Sequence, residues 1–147
     1  MSLYRHILIA TDGSELAEKA LAHGLALAKA VGAKATAVTV TEPWAAAAPA
    51  EVAIAFPIDE YEAAASARAR EVLSAATGIA KKQGIACETV HVKDRFPAQG
   101  ILDAAKEKGC DLIVMASHGR RGLAKLLLGS QAVEVLTHSS VPVLICR

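Results

Sequence analysis

The sequence predicts one open α/β sheet of about five parallel strands with helices on both faces, built as a single domain over residues 1–147. Three observations carry this. Short apolar runs alternate along the chain with longer stretches of helical period, and strand–helix–strand alternation makes parallel strands joined by crossovers. Ala37-Val38, the stretch around Val90 and Leu112-Ile113-Val114 read as strands covered on both faces. A chain of 147 residues is most simply one domain, and folding at that length buries about 70% of the unfolded chain's surface.

The elements follow in order. "RHILIATDGS" is a short buried strand ending at Asp12. Ala17, Ala20, Leu21, Gly24, Leu25, Ala28 and Val31 then recur at helical spacing. Ser14 is placed to cap this helix, Glu15 and Glu18 suit its positive end, and Gly32 closes it. "AKATAVTV" is the second strand. Residues 41–56, "TEPWAAAAPAEVAIAF", read as a long Ala- and Pro-rich connection. It carries Trp44, which has three readings: an exposed loop aromatic, a lid or a partner contact. A long helix runs from Asp59 to Gln83 and stops at Gly84. "IACETVHV" is the third strand, and Pro97 opens a helix ending near Gly109. "CDLIVMAS" is the fourth strand, Ser130 to His138 a short helix, and "VPVLICR" the last strand.

Composition narrows the function classes. The chain is 53% hydrophobic and 21% charged, which suits a compact domain and argues against disorder. A net charge of +1 gives no reason to expect nucleic acid or an anionic membrane as partner. No apolar stretch is long enough to span a bilayer, and the N-terminus does not read as a signal peptide. Cys87, Cys110 and Cys146 are odd in number, far apart and without metal spacing. They are expected to be reduced, buried thiols in the cytoplasm. His6, His23, His91 and His138 show no ligand spacing, so no metal site is expected.

In open α/β sheets, ligands bind at the carboxyl ends of the strands where the strand order reverses. Two loops qualify: "ATDGSE" after the first strand and "SHGRRG" after the fourth. Gly119 and Gly122 let backbone N–H groups approach an anion. Gly129 and Ser130 open the last helix, where free N–H groups attract phosphate. Arg120, Arg121 and Lys125 add positive charge, Asp12 can accept from ribose hydroxyls, and the backbone of Val40 can pair with a base edge. Each part has a plainer reading. The glycines serve as turn residues, Ser130 as a helix cap, Asp12 as a local cap, His118 as a loop residue and the Arg pair as a solvated run. The combination is more specific than any part.

The stretches "ILIATDGSELAEKAL", "DLIVMASHGRRGLAKLLLGS" and "VLTHSSVPVLICR" make the chain resemble the universal stress protein family across essentially its whole length. The resemblance implies a Rossmann-like sheet of order 3-2-1-4-5 and a dimer; that order puts the C-terminal strand, residues 141–147, at the sheet edge, where two copies are expected to pair as a homodimer. The family's nucleotide-binding branch carries Gly, two residues, Gly, nine residues, then Gly-Ser or Gly-Thr. That frame falls on Ala116, Gly119, Gly129 and Ser130. The implied nucleotide site comprises Asp12, Val40, Ala116, His118, Gly119, Arg120, Gly129, Ser130 and Gln131. The implied ligand is ATP, with AMP or ADP as alternatives and Mg²⁺ accompanying the phosphates. Ala116 departs from the frame. Its methyl is a small obstacle on extended backbone and a prohibitive one only where φ must be positive.

The expected function is therefore a stress-response module regulated by bound adenine nucleotide, with an unidentified protein partner. A nucleotide-independent interaction module is the first alternative. A slow ATPase or phosphotransferase, with His118 or Asp12 in a chemical role, is the second. No nucleophile–base pair and no GxxxxGK[ST] loop is present to support efficient turnover.

Overall fold

A computed structural model describes residues 2–47, 57–119 and 128–147. The elements are β1 (His6–Ala10), α1 (Glu15–Val31), β2 (Lys34–Thr41), α2 (Trp44–Ala47), α3 (Ile58–Gln83), β3 (Cys87–Lys93), α4 (Pro97–Lys108), β4 (Leu112–Ala116), α5 (Ser130–His138) and β5 (Val143–Cys146). The strands form one sheet in the order β3-β2-β1-β4-β5, with every neighbouring pair parallel.

Local signals act as the sequence predicts. Ser14 caps α1 by accepting a hydrogen bond from the Ala17 N–H, and Gly32 ends it at φ +72°, a conformation that glycine adopts without strain. Gly24 lies on the buried face of α1 for want of space. A Cβ there would come within 2.9 Å of the Ile9 side chain. The long connection contains one turn of helix, α2, beginning at the half-buried Trp44. Residues 48–56 of that connection lie outside the described residues.

Alternate residues of each strand feed two cores. Ile7, Ile9 and Val114 pack with Leu21, Leu25 and Ala76 under α1 and α3. Leu8, Val38 and Ile113 pack with Ile101, Ala105 and Val135 under α4 and α5. Each of these Val, Leu and Ile side chains contributes about 1.5–3 kcal/mol on burial, and each Ala less. Two expectations need correction. β3 is an edge strand and only partly covered, because the order 3-2-1-4-5 gives it a single neighbour. Of the cysteines, Cys110 alone is buried, and Cys87 and Cys146 are half-buried on the two edge strands. All three are free thiols, and burial pushes Cys110 up to about 11.

Candidate functional site

β1 lies between β2 and β4, so the chain leaves its C-terminal end toward one half of the sheet and returns on the other side at β4. The loops after β1 and β4 diverge there and leave a crevice. A cavity of about 640 Å³ occupies it, within the range of small-molecule sites. Asp12, Val40, Ala116, His118, Gly119, Gly129, Ser130 and Gln131 all line it. Arg120, with Gly122, Arg121 and Lys125, lies outside the described residues.

The two loops meet at Asp12 and Gly119. A Cβ on Gly119 would collide with the Asp12 carboxylate. One oxygen of that carboxylate accepts from the Ser14 N–H at 2.9 Å, so Asp12 serves its own loop while its other oxygen faces Gly119. Gly13 makes the turn between them at φ +80°. The loop after β4 is closed at its base by a hydrogen bond from the Gly129 N–H to the Ser117 carbonyl, 2.6 Å long. Gly129 has φ −70°, so no left-handed conformation asks for glycine there. Space does: a Cβ would sit 3.2 Å from the Ser117 carbonyl oxygen. That closure sets the start of α5 beside the end of β4, and Ser130, exposed, is the first helical residue. Its neighbouring N–H groups are the unpaired donors of a helix N-terminus, which favour an anion.

Ala116 ends β4 opposite Cys146 of β5. Its φ is not positive, since Asp94 is the one non-glycine described residue that has a positive φ. Alanine therefore costs the backbone nothing, and only the volume of its methyl remains to be accommodated. Val40 reaches the cavity from β2, where the helical Gly100 of α4 packs directly on its side chain. Gln131 accepts a hydrogen bond from the Ala98 N–H at 2.9 Å through Oε1, which caps α4 from the start of α5. His118 is half-buried beside Gly119.

The sequence reading missed one whole wall of this cavity. Tyr61, Ala64, Ala65, Arg68, Ala69 and Val72 of α3 line it at one-face helical spacing. The Tyr61 hydroxyl donates to the Glu42 carbonyl at 2.8 Å, which ties the first turn of α3 to the exit of β2. Glu42 also lines the cavity. The spacing of these residues was visible, but an Ala-rich helix face reads as ordinary packing. Among the described residues no group of His, Cys, Asp and Glu is arranged to hold a metal ion, and no helix is long and apolar enough to cross a membrane.

Comparison with known proteins agrees with this geometry. The family model described as "Universal stress protein family" matches residues 3–147. The chain is 33% identical over 149 residues to universal stress protein YxiE of Bacillus subtilis, covering 99% of this chain and 100% of that protein. Among solved structures it is similar to universal stress protein UspA from Lactobacillus plantarum, with a TM-score of 0.82, 25% identity and 98% of each chain covered. It is likewise similar to a universal stress protein crystallised in complex with cAMP, with a TM-score of 0.75, 28% identity and 99% of each chain covered. A sheet of order 3-2-1-4-5, a cavity at its reversal point and a full-length family match together place the chain in the universal stress protein family.

Proposed function

We propose that the cavity binds an adenine nucleotide, ATP or else AMP or ADP, and that the bound nucleotide sets the conformation in which the protein acts in a stress response. The observation that carries this reading is the convergence of Asp12, Gly119 and the Gly129–Ser130 helix start on one cavity at the switch point. A similar structure, 28% identical, was solved with cAMP. In this reading Asp12 takes the ribose hydroxyls and the Val40 backbone takes the base edge. Gly119, Gly129 and Ser130 hold the phosphates, with His118, Arg120 and Gln131 beside them. Mg²⁺ accompanying the phosphates would be held mainly by the phosphates, with Ser130 as the protein group beside it. The reading asks for no turnover.

The same reading makes the protein a cytoplasmic homodimer paired through β5. The three free thiols suit a reducing compartment. The carbonyl of Pro142 accepts from Ile113 of β4 and that of Cys146 from Ser117 just beyond it, so the backbone of Val143 and Ile145 is presented at the open edge. Pairing two copies there removes an unpaired edge.

Mass spectrometry of acid-extracted, freshly purified protein is expected to find bound adenine nucleotide. Calorimetric titration is expected to show ATP binding by the wild type, and by Ala116→Gly at least as tightly. Failure of both proteins to bind ATP, ADP or AMP at millimolar concentration would replace this reading with a nucleotide-independent interaction module.

A further inference from the structure

Resting on the nucleotide reading, we propose that Arg68 of α3 contacts the phosphates of the bound nucleotide and makes α3 part of the binding site. The cavity wall supplied by α3 is mostly methyl groups, from Ala64, Ala65 and Ala69. Two longer polar side chains stand among them, seven residues apart on one helical face: Tyr61 and Arg68. Tyr61 is engaged with the Glu42 carbonyl. Arg68 makes no ion pair or hydrogen bond among the described residues.

Charge makes the argument specific. Among the described lining residues Arg68 is the one Lys or Arg, whereas Asp12 and Glu42 are carboxylates. The phosphates of a nucleotide add negative charge to a cavity that already has two acidic residues in its lining, and the α3 wall faces that same cavity. Apart from Arg120, which the nucleotide reading already sets beside the phosphates, the N-terminus of α5 offers only about half an elementary charge. A guanidinium supplies a full charge, and its planar fork fits two phosphate oxygens at once. Arg70, two residues further on, is absent from this lining and stands with Ala67, Glu71 and Ser74 on a separate surface of α3. It is a natural control for net charge.

Arg68→Gln, Arg68→Lys and Arg70→Gln should be titrated with ATP and with adenosine, beside the wild type. Arg68→Gln is expected to weaken ATP at least tenfold while adenosine stays within twofold. Arg68→Lys should recover part of the ATP affinity, and Arg70→Gln should match the wild type. Unchanged ATP binding in Arg68→Gln overturns the proposal. An equal loss for ATP and adenosine also overturns it, since the side chain would then serve the base or the fold. An equal loss in Arg70→Gln reduces the effect to net charge and overturns it as well. A wild type that binds neither ligand overturns the nucleotide reading itself, and this proposal with it.

Discussion

Gly100 is a helical glycine whose replacement tests the packing beneath the cavity floor. In most helices Gly→Ala stabilises by about 1 kcal/mol, because alanine restricts the unfolded chain and leaves less backbone exposed. Gly100 is buried in α4, and a Cβ there would lie 2.7 Å from both γ-carbons of Val40. Unstrained carbon atoms sit about 3.5–4.0 Å apart, so relief requires a retreat of about 1 Å. Rotating Val40 about χ1 gives little, since both of its branches face the new methyl and β-branched side chains are stiff. Overpacking of this kind costs about 1–3 kcal/mol. The clash therefore cancels or exceeds the propensity gain, and Gly100→Ala is expected to be neutral to destabilising by about 2 kcal/mol.

In a Val40→Ala background both γ-carbons are gone and only a 3.3 Å approach to the Cβ of residue 40 remains, so the same Gly100→Ala change should lose most of its cost and stabilise by at most about 1 kcal/mol. A shift of the Gly100→Ala effect toward stabilisation in that background is the diagnostic result. Urea unfolding of the four proteins, analysed at constant m, gives the coupling as a double-mutant cycle. A Gly100→Ala protein more stable than wild type, or a cycle with no coupling, would refute the argument that α4 rests on Val40.

Three further outcomes are expected. Ser130→Ala should weaken ATP by about 1.5–3 kcal/mol, one hydrogen bond to a charged acceptor, with little change in unliganded stability; isothermal calorimetry with a parallel melting curve separates the two. Val143→Pro removes an N–H at the open edge of β5, so light scattering should find a dimeric wild type and a variant shifted toward monomer or aggregate; a monomeric wild type at micromolar concentration would count against β5 pairing. Desolvation pushes the Asp111 carboxyl up, but backbone N–H groups of Arg5, His6 and Asp111 itself, with the Arg5 charge, together hold it below the usual carboxylate range. A depressed folded pKa adds stability above the unfolded value of 3.8 and loses it as pH falls through the folded value. Asp111→Asn should thus be less stable than wild type near neutral pH, and the gap should close under acid.

The parts of this molecule legible in its sequence are those written by local rules. Ser14 as a cap, Gly32 and Gly84 as helix ends and Pro97 as a helix start are each set by one residue's backbone chemistry. The alternation of periods required parallel crossovers, and the strand order came with the family resemblance. The unequal cover of the strands was not legible. Val90 has the same character as Val38, but β3 has one neighbour and β2 has two, and nothing within either strand records that. The cysteines were misread for the same reason: Cys87 and Cys146 lie on strands whose outer edges stay open.

At the site, residue types were legible and their reasons were not. Gly119 and Gly129 look like turn glycines in sequence, where glycine usually means positive φ. Here neither has a positive φ, and each is fixed by an atom from elsewhere in the chain: the Asp12 carboxylate for one, the Ser117 carbonyl for the other. The distinction changes how the frame tolerates substitution. A position that needs left-handed backbone disfavours nearly all side chains whatever their size, Asn and Asp least, as Asp94 shows, whereas a position that needs room rejects them in proportion to what they strike. Ala116 escapes the first demand, because β4 holds it at negative φ, and as a residue lining the cavity it faces only the second. The backbone at the first position of the frame thus accepts alanine, while at Gly119 the same methyl would displace Asp12, the residue that joins the two loops of the site.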